Sequence, residues 1–238
     1  MSQPFIDALL GSGRPVIMEV KPRSADGEDL LRGRSPTEIA DRYEAVGAPC
    51  LSVVTGRWFG GHLGLLAEVT GHTQLPVLQK DFLTNADQLR QASDLGAAAV
   101  LLTAALLPKV ALARLAEQAL ALGLTPFIEV ATSAEVDALP PCEGCVVAVN
   151  NKDIRTRERG DADLDRSRRL LPAVRGTGSP CPVSASGIDD PRVAARLLSA
   201  GYAGLLVGSH LLRADRLEAW CAELDEALLA APVPRRSG

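Results

Sequence analysis

Short apolar runs rich in valine, isoleucine and leucine recur along the chain, each followed by a longer stretch of mixed apolar and polar residues. The runs are Val16–Lys21, Cys50–Thr55, Pro76–Lys80, Ala98–Thr103, Pro126–Val130, Cys145–Asn150, Pro182–Ser186 and Gly204–Ser209. They are continuous rather than alternating, the pattern of parallel strands covered on both faces. The stretches between them carry helical period and punctuation. Ser35–Val46 opens Ser-Pro with Glu38 three positions after the serine, so that cap and third residue can satisfy each other's backbone donors, and it stops at Gly47. Asn85–Leu95 stops at Gly96, Val110–Leu122 at Gly123, and Asp190–Ala200, which begins Asp-Pro, at Gly201. Arg216–Ala231 reads as a long amphipathic closing helix.

Eight strand–helix alternations in 238 residues predict one α/β domain over residues 1–238, a (β/α)8 barrel of the TIM type. A doubly wound open sheet would use fewer strands and a glycine-rich first turn. Neither GxGxxG nor GxxxxGK followed by Ser or Thr occurs in the chain. Residues 1–14 read as a short N-terminal segment and residues 232–238, rich in Pro and Arg, as a disordered tail.

Composition narrows the function class. Apolar residues make up 47% of the chain, enough for a sizeable core, whereas a net charge of −4 gives no global pull toward nucleic acid or anionic membrane. Aromatic content of 3% disfavours a base-stacking surface. Of five cysteines, Cys142 and Cys145 form a lone CxxC without a second pair or a nearby histidine, so neither a disulfide scaffold nor a metal site is expected. The start of the chain lacks a basic stretch followed by an apolar run, and no stretch of about 18 apolar residues occurs; a cytoplasmic protein is the expectation. Oligomeric state is not legible in the pattern.

In a barrel of this kind the chemistry sits at the carboxyl ends of the strands, so the residues on which each run finishes are the informative ones. Run one finishes on Glu19 and Lys21, two apart and therefore on one face; run three on Lys80 and Asp81; run five on Glu129; run six on Asn150, Asn151 and Lys152. A salt bridge in the barrel mouth would explain any one of them. Two lysines and two glutamates inside otherwise apolar runs are harder to dismiss, because burying an unpaired charge costs on the order of several kcal/mol. The last two runs end Ser186-Gly187 and Gly208-Ser209. A glycine there leaves backbone N–H groups open to an anion, and the loops after strands seven and eight are the recurrent phosphate site of the fold.

These segments resemble the indole-3-glycerol phosphate synthase family from Val16 to about Arg213. The matching pieces are Glu19-Val-Lys21, Leu51-Ser-Val-Val-Thr55, Phe59-Gly-Gly, Gln79-Lys80-Asp81-Phe82, Phe127-Ile-Glu129-Val130, Val149-Asn150-Asn151-Lys152-Asp153, Ser186-Gly187-Ile188 and Leu206-Val-Gly208-Ser209. The resemblance implies a carboxy-lyase of tryptophan biosynthesis. It would close the indole ring of 1-(2-carboxyphenylamino)-1-deoxyribulose 5-phosphate with loss of carbon dioxide and water, using no cofactor or metal. It implies Lys80 as general acid at the ketone, Lys21 against the anthranilate carboxylate, Glu129 as base in the dehydration, and Glu19 and Asn150 as orienting residues. Ser186, Gly187, Gly208 and Ser209 would hold the phosphate, and Ser24, Phe59, Phe82 and Lys152 would join the substrate site. The expected partner is a phosphorylated small molecule, with no nucleic acid and no membrane.

Three departures from the family's usual pattern stand out. Ala185 occupies a position where members carry glutamate, only about 15 residues precede the first strand, and the loops after strands one and two differ in sequence and length. All three are expected on the aryl side of the pocket. Two further readings therefore stay open: a diverged member acting on a different phosphorylated sugar-derived substrate, and a non-catalytic phosphate-ligand binder. Trp58 and Trp220 are expected to pack, although Trp58 beside Phe59 could line the aryl pocket, and His210 is expected to be structural.

Overall fold

In a computed structural model that describes residues 3–153 and 160–230, eight parallel strands close into a barrel in sequential order. They are β1 Val16–Val20, β2 Cys50–Val54, β3 Val77–Lys80, β4 Ala99–Thr103, β5 Thr125–Val130, β6 Val146–Asn150, β7 Cys181–Ala185 and β8 Gly204–Val207. Each lies within two residues of its expected run. Closure pairs β1 with β8, Val16 opposite Leu205 and Met18 opposite Val207. Every strand residue is buried, the reason the runs read as continuous.

Alternate residues divide between two cores. Val16, Met18 and Val20 face the surrounding helices, while Ile17 joins Cys50, Leu78, Leu101, Phe127, Ala148, Val183 and Leu206 inside the barrel. The helices are α1 Pro4–Leu10, α2 Pro36–Ala45, α3 Leu63–His72, α4 Ala86–Asp94, α5 Lys109–Ala121, α6 Ser133–Asp137, α7 Leu164–Arg175, α8 Pro191–Ala200, α9 Ser209–Arg213 and α10 Leu217–Ala230. The Ser35/Glu38 reciprocal cap opens α2 as expected, and Asn85 with Gln88 builds the same device at α4. Ser209 was expected to finish the eighth strand; it opens α9 instead, because Gly208 turns the chain there.

The N-terminal segment holds a helix that the short apolar stretch did not announce. Phe5, Ile6 and Leu9 of α1 enter the barrel from beneath. Phe5 meets Phe127 edge-on at 6.3 Å, its carbonyl accepts the Cys50 thiol at 3.5 Å, and Leu9 presses on Gly204, where an added Cβ would lie 2.7 Å from Leu9 Cδ2. The floor of the barrel is thereby plugged with hydrocarbon. The tail expected at 232–238 lies outside the described residues. Among the described residues no helix is long and apolar enough to cross a membrane.

Candidate active site

Above the hydrocarbon floor, the carboxyl ends of the strands form a charged layer. Glu19, Lys21, Lys80, Glu129 and Asn150 are all buried there. Glu19 sits between the two lysines: Oε1 is 3.1 Å from Lys21 Nζ, and Oε2 is 3.3 Å from Lys80 Nζ, a charge contact outside hydrogen-bond alignment. Burial pushes the Glu19 carboxyl up, but the Lys21 and Lys80 ammonium groups outweigh it and hold the group below the usual carboxylate range. One carboxylate thus keeps two buried cations in place. The layer also depends on Gly208, where an added Cβ would lie 2.3 Å from Glu19 Oε1. Lys21 Nζ stands 5.3 Å above the centre of the Phe59 ring, a cation–π contact that fixes its other side. Asn150 Oδ1 accepts the Lys152 N–H at 2.9 Å, while its buried Nδ2 has no partner among the described residues.

From this layer a polar cavity of about 430 Å³ opens toward β7, β8 and the loop after β1, lined by Glu19, Lys21, Lys80, Ser24, Lys152 and the Ser186–Asp189 and Gly208–His210 turns. Ser186 and Gly187 both adopt left-handed backbone, φ 70° and 73°. For serine that conformation costs about 1–2 kcal/mol and persists only under constraint. Asn151 supplies the constraint: its Nδ2 donates to the carbonyls of Ala185 and Ser186 at 3.0 and 3.1 Å, and its Oδ1 accepts the Ser167 hydroxyl at 2.8 Å. Among the described residues the backbone N–H groups of Gly187 and Ser209 have no protein partner, which leaves both to an anion. Ser24 Oγ accepts the N–H groups of Asp26 and Glu28 at 3.3 and 3.1 Å, so its own hydroxyl hydrogen can donate into the cavity.

A smaller apolar pocket also borders Lys80, lined by Val54, Gly56, Phe59, Phe82, Leu101 and Glu129. Asp81 anchors its rim by accepting from Thr55 Oγ1 at 2.9 Å and from the Phe82 N–H at 2.8 Å. Lys80 alone among the layer's lysines lines both the polar cavity and this pocket.

Comparison with known proteins places this geometry in a family. A family model described as indole-3-glycerol phosphate synthase matches residues 2–224. The chain belongs to the indole-3-glycerol phosphate synthase family. It is 34% identical over 206 residues to the indole-3-glycerol phosphate synthase of Chloroherpeton thalassium, covering 86% of this chain and 77% of that one. It is 36% identical over 225 residues to the Neisseria meningitidis serogroup B synthase (92% and 84% covered). With indole-3-glycerol phosphate synthase 2 of Streptomyces coelicolor it shares 38% over 216 residues (90% and 81% covered). Among solved structures, 3-hexulose-6-phosphate synthase from Salmonella typhimurium superposes with a TM-score of 0.70 at 13% identity, covering 90% of this chain and 98% of that one, a likeness of fold.

Set against the family's pattern, all thirteen expected site residues lie at the carboxyl end of the barrel, but they fall into two lobes. Ser24, Lys152, Ser186, Gly187, Gly208 and Ser209 face the polar cavity, while Phe59, Phe82 and Glu129 line the apolar one. Three expectations are corrected. The divergent loop after β1 lies on the polar side, through Ser24, Ala25 and Asp26, rather than on the aryl side. Ala185 lines neither lobe; buried beside Asn150 and Leu206 in the strand register, it joins the inner apolar core. Trp58 does not pack as expected: it is 61% exposed, with its ring 5.3 Å from Phe82. Trp220 does pack, donating Nε1–H to the Asp189 carbonyl at 2.8 Å. His210 borders the polar cavity, 3.9 Å from Asp189 and tilted against Trp220. The clamp by Asn151 and the lining by Arg213 were missed. The Asn-Asn pair was the only local signal for the first; for the second there was none.

Proposed function

We propose that this chain closes the indole ring of 1-(2-carboxyphenylamino)-1-deoxyribulose 5-phosphate, releasing carbon dioxide and water. The observation that carries the reading is the position of Lys80 between an anion-ready polar cavity and an aromatic-lined pocket. The substrate has the same order: phosphate at one end, aryl ring at the other, reacting ketone between.

In this reading the open N–H groups of Gly187 and Ser209, with the Ser186 and Ser209 side chains and Lys152, hold the phosphate. Phe59 and Phe82 flank the aryl ring, and Lys21 pairs with its carboxylate. The carboxylate-bearing ring carbon attacks the ketone while Lys80 delivers a proton to the oxygen that becomes hydroxyl. Loss of carbon dioxide returns the bond pair to the ring and restores aromaticity. The hydroxyl then leaves as water with a proton from a lysine, and Glu129 takes a proton from the methylene carbon beside the nitrogen. Glu19 holds both ammonium groups on station, and the unpartnered Asn150 Nδ2 donates to substrate oxygen.

Incubating the purified chain with this substrate and following indole fluorescence tests the reading. Turnover that disappears in Lys80→Ala supports it. No turnover, with phosphate-ligand binding intact, sinks it in favour of a diverged member acting on another phosphorylated sugar-derived substrate. Ala185 is the observation that favours that second reading, since its methyl stands where members carry glutamate.

A further inference from the structure

Beside the site, three separated stretches of chain bring four guanidinium groups around a second cavity of about 320 Å³. Arg32 and Arg34 come from the loop that leads into α2, Arg42 from the last turn of α2, and Arg213 from the end of α9. The remaining wall is Leu212, Ala214 and Asp215. Arg213 also borders the polar cavity, so the two cavities share one side chain.

The positive charge in this cavity is poorly compensated. Glu28 takes two of the arginines, Arg32 at 3.1 Å and Arg213 at 2.6 Å. Arg34 spends its N–H groups on carbonyls, those of Leu31, Leu30 and Leu212 at 2.8, 2.8 and 2.7 Å, which fixes its direction without neutralising it. Arg42 has no hydrogen bond or ion pair among the described residues, and Asp215 makes no ion pair with any of the four. Burial lowers the Arg34 pKa, and the charges of Arg42 and Arg32 push the same way. In a chain of net charge −4, this is a local reversal of sign. Half-buried guanidinium groups without a counter-charge are costly, and their planar forks suit phosphate oxygens.

We propose that the Arg32–Arg34–Arg42–Arg213 cavity is a second anion site, which takes a phosphate-class dianion other than the substrate's own phosphate. Arg34 is held rigid by three carbonyls and acts as the fixed wall. Arg42, which has nothing to give up, closes on the ligand. The site does not depend on the assignment of the reaction, since none of its other three arginines borders the catalytic cavity.

Equilibrium dialysis of the intact chain with labelled pyrophosphate at fixed ionic strength tests the proposal. The unaltered chain should bind one equivalent more than Arg42→Glu, and Arg42→Gln should weaken that equivalent about 10-fold or more. Circular dichroism melts confirm that both variants fold, and Arg42→Gln should keep its turnover, because Arg42 touches neither lobe of the catalytic site. Ser209→Glu, which sets a negative charge on the catalytic phosphate turn and lies outside the arginine cavity, should retain the extra equivalent, which separates it from the substrate's phosphate. Equal stoichiometry and affinity in the unaltered chain and both Arg42 variants would overturn the proposal. So would displacement of the extra equivalent by chloride at constant ionic strength, the behaviour of a diffuse ion atmosphere.

Discussion

Replacing Gly208 by alanine should damage the reaction through a carboxylate on another strand. The added Cβ would sit 2.3 Å from Glu19 Oε1 and 3.0 Å from its Cδ, whereas carbon–oxygen contacts of this kind need more than 3 Å. Glu19 would have to retreat by about 1 Å to restore van der Waals separation. The backbone of β1 is held between β2 and β8, so the side chain must move, and the 3.1 Å contact with Lys21 and the 3.3 Å contact with Lys80 are what it leaves. A hydrogen bond to a charged group contributes about 1.5–3 kcal/mol, and for a chain of this size ~2 kcal/mol lowers Tm by roughly 4–8 °C. A displacement of ~1 Å at reacting groups costs about 100-fold in rate. The assay is indole fluorescence under saturating substrate together with a thermal melt, with Gly13→Ala as control. Gly13 has nothing within 4 Å of an added Cβ, so it should leave both readings unchanged. A Gly208→Ala protein with unaltered kcat and Tm would refute the claim that Glu19 bridges the lysines through a space only glycine leaves.

Lys80→Met should reduce kcat by about 10²–10⁴-fold, as expected for loss of a general acid, while phosphate-ligand affinity measured by titration stays within a few-fold. Asn151→Ala removes the clamp on the left-handed Ser186 turn; it should lower stability by about 1–3 kcal/mol in urea unfolding and weaken substrate binding more than it slows the chemistry, a KM effect. Glu19 has a folded pKa held below its unfolded value, so the stability it contributes is present above the ordinary carboxylate pKa and is lost as pH falls through the lower folded value. Unfolding free energies measured from pH 6 to pH 3 should therefore fall more steeply in the unaltered chain than in Glu19→Gln, and parallel curves would contradict the shared ion pair. Ala185→Glu puts a carboxylate into the inner core beside Asn150, beneath the charged layer. A large gain in turnover would mark the alanine as a defect for this chemistry, whereas a loss would mark it as a fitted part of the site.

The strands were legible because each is buried on both faces, and residues such as Val16, Ile17 and Met18 must all be apolar although they serve two different cores. The charged layer was legible for the opposite reason: Glu19, Lys80 and Glu129 interrupt those runs at one end only. Helix α1 was not, since seven residues are too few to show a period, and its partners, Phe127 and Gly204, lie more than a hundred positions away. The division of the site into two lobes was hidden too, because it depends on which loop folds over which strand end. Trp58 shows the same limit: beside a buried Phe59 it reads as packing, yet the short turn Arg57–Phe59 points it outward. The arginine cavity had no local signature, as positions 32, 34, 42 and 213 meet only in the closed barrel.

The plug formed by α1 gives the barrel the traffic pattern of a vessel with a sealed base. Phe5, Ile6 and Leu9 close the lower end with hydrocarbon, so whatever reaches the charged layer arrives by the rim. Incoming substrate and departing carbon dioxide, water and product then share one doorway, and a product still seated on the phosphate turns bars the next arrival. Competitive product inhibition follows from such an architecture, and its strength is set by the same turns that secure the substrate.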